Sequence, residues 1–406
     1  MKKRVVAIFT GNRAEYGLQY PILRAVERHP ALEYRLIVSG AHLDSNFGRT
    51  LEEIRADGFR IDAEVAIKMD AGSLYATAQA IGTGILSVSD CLAAMKPDLM
   101  IVYGDRFEGF AAVIAASQMN IPTAHIEGGD ITEGGALDDS VRHAMTKLAH
   151  LHFTTNQQAT NRILAMGEEP WRVHTVGFPA IDLISTGRFA APAEVVNRLG
   201  LDLAQPVVLF TQHSVATEFD QAAHQVQPSL RAMLEFAQSG VQVVITYPNN
   251  DAGGKAIIAE LDALAAKKIH NLHLRQSLGR HLYHGILALA RIPSCRIVCV
   301  GNSSSGVKET PAFGCPAVNI GSRQEGRLRA NNVIDVGYDS AAIVAAIRHC
   351  LDEETFRVCC RNCTNPYYLG DAGVKIADVI AAVPLGQKLL RKRMILLGET
   401  HDGWYR

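Results

Sequence analysis

The 406-residue chain lacks an uninterrupted apolar run of the length that a bilayer crossing needs, which argues against a membrane-spanning protein. It also lacks an excess of either charge. Forty Lys and Arg stand against forty-one Asp and Glu, so a broad nucleic-acid surface finds no support, although a local anion pocket does not conflict with that balance. Cysteine is sparse and scattered. Only "CCRNC" (359–363) gathers three of the eight, without a second pair or a nearby histidine, so reduced thiols and no metal site are expected. The opening "MKKRVVAIFTGNRAEYG" is basic, but its apolar stretch Val5–Phe9 is too short for a signal peptide, and a cytoplasmic protein is expected. Finally, the first strand is not followed by GxGxxG, so a dinucleotide fingerprint is missing and no cofactor is implied. Internal repeats and low-complexity segments are absent too.

What is present is a core. Hydrophobic residues make up 48% of the chain, which suits a filled globular interior, and 406 residues suit two domains better than one. Short apolar runs alternate with longer helical patterns, the signature of a parallel sheet with crossover helices. Strands are expected near Val5–Thr10, Tyr34–Ser39, Leu99–Tyr103, Thr123–Ile126, His152–Thr155 and His174–Val176. After the Pro- and Gly-bearing "TGRFAAPAEVVNRLGLDLAQP" they resume near Val207–Thr211, Val241–Tyr247, Arg296–Val300, Ala317–Ile320 and Val333–Val336. The fold class is therefore α/β, with two doubly wound Rossmann-like domains at 1–180 and 181–365. A helical segment, 366–406, is expected to pack back on the body. In such sheets ligands bind beyond the carboxyl ends of the strands, and with two domains the cleft between them is the natural site.

Carboxylates stand where those strands end. "VYGDRFEGF" places Asp105 after one, and "HIEGGD" places Glu127 after the next, beside two glycines. Paired carboxylates at neighbouring strand ends can divide the roles of acid and base. "DDSVRHAMTKLAH" reads as a helix with Val141, Ala144, Met145 and Leu148 as its apolar stripe and Asp138 or Asp139 as N-cap, which is the structural alternative for those acids. "LFTQHSV" adds His213 at a strand end of the second half. "VGNSSSGVKETPAFG" (300–314) leads from a strand through Ser303 and Ser304 into a short helix, with Glu309 in its first turns. Small residues and helix amides suit a diphosphate, and Glu309 suits ribose hydroxyls, where the bland alternative is a serine-capped helix start. Arg13 in "FTGNRAEYG" and Arg323 in "GSRQEGR" supply cations at the same edges.

Together these stretches resemble the hydrolysing UDP-N-acetylglucosamine 2-epimerases of sialic-acid-type and legionaminic-acid-type biosynthesis. The resemblance runs from "GNRAEYG" through "YGDRFEG", "HIEGGD", "VGFPAID", "TQHSV", "YPNNDAGGK" and "GNSSSGVKE" to "GSRQEGR", roughly residues 5–335. It implies a glycosyltransferase-B-like pair of domains with the substrate in the cleft, and a homodimer or homotetramer assembled through the first domain. By this resemblance the essential acids fall on Asp105, Glu127 and Asp138, and the cleft histidine on His213. Substrate and nucleotide contacts fall on Arg13, His42, Arg106, Asn249, Ser303, Ser304, Glu309 and Arg323. The stretch "ITEGGAL" (131–137) is longer than expected for members that make N-acetylmannosamine. Its small residues would admit a C4 acetamido group, and Leu137 would cover a C6 methyl. Two donors thus stand open, UDP-N,N'-diacetylbacillosamine and UDP-N-acetylglucosamine. The alternatives to a 2-epimerase are a UDP-sugar glycosyltransferase of the same fold and a nucleotide-sugar-binding regulator without chemistry.

Overall fold

Among the described residues, thirteen parallel strands form two separate sheets. The computed structural model describes residues 3–43, 51–67, 74–132, 137–249 and 252–396, and at Arg13, Ala14 and Leu74 the backbone alone. The first sheet contains β1 (Arg4–Thr10), β2 (Leu32–Ser39), β3 (Ala63–Val65), β4 (Leu99–Tyr103), β5 (Thr123–Ile126), β6 (Leu151–Thr154) and β7 (Val173–Thr175), in the order β3-β2-β1-β4-β5-β6-β7. The second contains β8 (Val207–Thr211), β9 (Gln242–Thr246), β10 (Leu272–Arg275), β11 (Ile297–Gly301), β12 (Ala317–Ile320) and β13 (Val333–Val336), in the order β10-β9-β8-β11-β12-β13. Each order reverses once, between β1 and β4 and between β8 and β11, and each reversal is a switch point of a doubly wound sheet.

Both faces of each central strand are buried, which explains the unbroken apolar runs. In β8, Val208 and Phe210 face one core while Val207 and Leu209 face the other. Ala7 and Phe9 of β1 pack with Met100 and Val102 of β4 on one side of the first sheet. The chain divides into two compact units. Residues 1–131, 138–182 and 369–406 make the first, and residues 132–137 and 183–368 the second. The carboxyl-terminal part thus belongs to the first unit: helix Ala372–Ala382 lies on helix Arg13–Arg28, with Gly373 so close that a Cβ there would stand 2.7 Å from Pro21 O. Asp182 receives the N–H groups of Ala372 (3.1 Å) and Gly373 (2.8 Å) at the start of that helix.

Two sequence expectations change. Edge strands β3 and β10 were not foreseen, because "AEV" and "LHLR" lack an apolar run at half-exposed sheet edges. Helix Leu74–Met95 is, by length and composition, apolar enough to cross a membrane, since Ser, Thr and Gly interrupt its apolar residues without adding charge. It nevertheless packs beside helix Phe107–Gln118, where a Cβ on Gly84 would lie 2.9 Å from Ala111 Cβ. Helix Leu137–Leu148 does carry the apolar stripe expected, with Met145 in the core and Val141 and Leu148 packed against it, and it buries Asp139, Arg142 and Thr146 as well.

Candidate functional site

In the first unit the functional side chains gather at the carboxyl ends of β1, β4 and β5. The backbone turns sharply after each strand. Gly104 has φ +68°, and Glu127, a non-glycine residue, has φ +64° while its N–H bonds Phe153 O at 2.9 Å. A left-handed carboxylate residue at a buried strand end is uncommon and costs conformational energy, so the fold holds it there. Arg142, with 3% of its side chain exposed, ties the two strand ends together. One arm of its guanidinium pairs with Asp105 Oδ2, and the other donates to Glu127 O at 3.1 Å. Asp105 and Glu127 are therefore brought together. Asp138 lies one helical turn before Arg142 and is exposed; because the helix starts at Leu137, Asp138 and Asp139 occupy its first turn and neither is its N-cap.

Neighbouring groups set the protonation of the site. Burial, and then the Glu127 carboxylate, push the Tyr103 phenol well above its ordinary range, so it is a hydrogen-bond donor. His125 donates from Nε2 to Gly104 O (2.7 Å), so Nδ1 accepts from Thr146 Oγ1 (3.1 Å), and burial lowers its pKa to about 3. It stays neutral and fixes the turn before Asp105. Beneath the loop after β1 lies a second pair of carboxylates, Glu15 and Glu108. Glu15 Oε2 accepts from Gly11 N at 2.7 Å, and burial above all, with the charge of Glu108 adding, raises Glu15 to about 8. Arg106 Nε stands 3.5 Å from Glu108 Oε2. A Cβ on Gly11 would meet Glu108 Cβ at 2.8 Å, which is why the loop needs glycine there. His42 is buried and its Nε2 lies 3.0 Å from Thr10 Oγ1. The side chain of Arg13, and Glu133, Gly134, Gly135 and Ala136 of the "ITEGGAL" stretch, lie outside the described part. Leu137 is 60% exposed.

The second unit has its own cluster at the ends of β8, β9, β11 and β12. Gly301 (φ +126°) brings β11 so close to β8 that a Cβ would fall 1.9 Å from Thr211 O. That approach seats Asn302, wholly buried, as a hub. Its Oδ1 accepts from His213 N (2.7 Å), its Nδ2 donates to His213 O (2.8 Å), and its carbonyl accepts from Arg323 Nη1 (3.0 Å) and Gln324 Nε2 (2.9 Å). His213 Nδ1 lies 3.1 Å from both the backbone N and the side-chain Oδ1 of Asn249. His213, Asn249, Asn302 and Arg323 thus form one network. Ser303 and Ser304 follow it, half-buried, ahead of the single turn Ser305–Lys308. Glu309 departs from expectation: it sits between that turn and Thr310–Phe313, nearly buried, with Oε2 2.7 Å from His284 Nε2.

Sequence patterns alone missed Arg142, Tyr103, Glu15, Glu108, His284 and the central part of Asn302. The spacing held a signal for Arg142, which stands four residues after Asp138 and so on the same helical face. Glu15 and Glu108 each occupy the first turn of a helix following a strand, a position where acidic residues are common because they complement the helix dipole.

Residues 24–381 match the family model described as UDP-N-acetylglucosamine 2-epimerase. A "UDP-N,N'-diacetylbacillosamine 2-epimerase (hydrolyzing)" of Legionella pneumophila is 31% identical, covering 96% of this chain and 98% of that protein. A "UDP-N-acetylglucosamine 2-epimerase" of Neisseria meningitidis serogroup B is 30% identical, covering 85% and 87%. The crystal structure of a UDP-GlcNAc 2-epimerase from Neisseria meningitidis bound to UDP-GlcNAc has a TM-score of 0.76 at 20% identity, over 93% of this chain and 99% of that one. At that identity the likeness shows the fold, and it is the two-domain, glycosyltransferase-B-like fold expected.

Proposed function

This chain belongs to the UDP-N-acetylglucosamine 2-epimerase family, and from that premise we propose that it hydrolyses a UDP-activated 2-acetamido sugar with inversion at C2. The observation that carries this reading is the Arg142 clamp, which holds two strand-end acids, Asp105 and Glu127, beside a protonated phenol. Inversion at C2 is hard because no adjacent carbonyl acidifies the C–H. The route open to clustered carboxylates is elimination. A base takes the C2 proton, the C1–O bond breaks, its electron pair leaves with the diphosphate, and a C1–C2 double bond forms. Water then adds its hydroxyl at C1, and a proton returns to C2 on the opposite face.

Asp105, Glu127 and Asp138 share these proton transfers. The substrate and nucleotide contacts proposed are Arg13, His42, Arg106, Asn249, His213, Ser303, Ser304 and Arg323, because the developing charge of the diphosphate needs fixed donors. Glu309, oriented by His284, takes the ribose hydroxyls. UDP-N,N'-diacetylbacillosamine is the donor, on the strength of the Legionella relative's name and near full-length match, and the product feeds a legionaminic-acid-type route. The Neisseria relative supports a second donor, UDP-N-acetylglucosamine. A glycosyltransferase role finds no support in these matches. Cytoplasmic placement accords with eight unpaired cysteines, and a homo-oligomer accords with the outer face of helix Leu74–Met95, where Tyr75 and Leu86 stand exposed.

The test is to incubate the protein with each donor in deuterated water. UDP release with deuterium at C2 of a manno-configured sugar is expected, with kcat/KM higher for the diacetamido donor. Product without deuterium rules out elimination, and a preference for UDP-N-acetylglucosamine reverses the donor assignment alone.

A further inference from the structure

The described tail ends near a lysine that reaches the helix carrying Asp138 and Arg142. Lys392, with 14% of its side chain exposed, places Nζ 3.0 Å from Thr146 O, 2.7 Å from Lys147 O and 2.7 Å from Ala149 O, and 2.8 Å from Glu168 Oε2. Those carbonyls stand at the carboxyl end of helix Leu137–Leu148, where a helix leaves acceptors without intrahelical donors and its dipole favours a cation. Glu168 is wholly buried, and also takes Lys147 Nζ (2.5 Å) and His152 Nε2 (3.1 Å). The backbone on either side of Lys392 is pinned as well. Buried Arg172 donates to the carbonyls of Leu389 (2.7 Å), Lys388 (3.1 Å) and Arg391 (3.1 Å), and Ile395 N donates to Gly167 O (2.8 Å).

The lysine's placement reaches the acids through named contacts. Thr146, whose carbonyl Lys392 holds, gives its hydroxyl to His125, and His125 holds the carbonyl of Gly104, the residue before Asp105. One turn earlier on the same helix, Arg142 grips Asp105 and Glu127 O. A slide of this helix along its axis would misplace Arg142 against both at once.

We propose that Lys392 is a positioning residue for the reaction: by capping the carboxyl end of helix Leu137–Leu148, it fixes the register of Asp138 and Arg142 against Asp105 and Glu127. It touches no substrate. The inference rests on the function proposed above, so UDP release by the wild type is measured first. In the full chain, Lys392→Met should lower kcat by about 10- to 100-fold, the size of effect that a displacement of about 1 Å produces, while KM stays within about threefold. Lys392→Arg should restore much of the lost kcat, because a cation again meets the carbonyls. A kcat for Lys392→Met within about twofold of wild type overturns the proposal, as does a loss that folded Lys392→Arg leaves unrepaired. If Lys392→Met does not fold, Glu168→Gln, which removes the buried charge facing the ammonium, should lower kcat at constant KM, and an unchanged kcat overturns the proposal. If the wild type releases no UDP, the functional reading fails, and amide exchange decides the placement. Peptide 137–149 should exchange faster in Lys392→Met, and equal exchange overturns it.

Discussion

A guanidinium offers two arms in one rigid plane, so it can hold a carboxylate on one strand end and a carbonyl on the next. Arg142 uses both, and a lysine in its place keeps the charge but has one point of attachment. Arg142→Lys should therefore lower kcat by about 100-fold with KM within about threefold, since the acids are displaced while the nucleotide contacts remain. Steady-state kinetics on the preferred donor checks this, and a kcat within about threefold of wild type removes the clamp from the account. Asp105 and Glu127 were legible in the sequence because each abruptly ends an apolar strand. Arg142 was not, because its partners are 37 and 15 residues away and only the fold brings them to it.

Elements were legible in proportion to how completely they are buried. Central strands β1, β4, β8 and β11 carry continuous apolar runs and lie where those runs predict, whereas the half-exposed edge strands β3 and β10 leave no such trace. Helix Leu137–Leu148 was legible on its apolar side, where Met145 meets the core with Val141 and Leu148 beside it, but not on its polar side, where Arg142 and Thr146 are buried against Asp105 and His125. The serine-rich loop after β11 reads in the sequence as a ligand loop or a serine-capped helix start, and in the structure its keystone is the glycine at its start. With a Cβ 1.9 Å from Thr211 O, Gly301→Ala must separate β8 from β11 and disturb the Asn302–His213 bonds. A loss of about 2–4 kcal/mol in the stability of the second unit is expected from strain and altered pairing. Gly337→Ala, with nothing within 4 Å, should stay within about 0.5 kcal/mol of wild type. Urea midpoints for the two variants provide the comparison, and equal midpoints contradict the steric account.

Across the whole chain, buried ionisable groups are unevenly shared, and this gives the two units different acid limits. In the first unit burial lowers His125 to about 3, and His150 and His152 to about 4, against 6.5 when unfolded. Burial opposes the charge on Glu168, but hydrogen bonds from His152, Lys147 and Lys392 prevail and lower it to about 2 from 4.5. Each depressed histidine leaves the folded unit binding fewer protons than the unfolded chain between pH 6.5 and its folded value. The stability these histidines contribute is therefore complete above about pH 6.5 and falls as pH drops towards 4, by about 1.4 kcal/mol per pH unit for each histidine once the pH is well inside that window. Glu15, raised to about 8, has the opposite sign between pH 8 and 4.5 and offsets only one of the three. Glu168 adds a further loss below its unfolded value of 4.5, complete near pH 2. All five groups belong to the first unit. At pH 5 that unit should unfold at a lower urea concentration than the second, while at pH 7 the two transitions draw together. Trp171 lies in the first unit, so in a Trp404→Phe background its fluorescence reports that unit alone, while far-ultraviolet circular dichroism reports both. Fluorescence midpoints that fall behind the dichroism midpoints at pH 5, and not at pH 7, are the expected result. Coincident midpoints at both pH values would show that the histidines' acid cost is spread over one cooperative molecule.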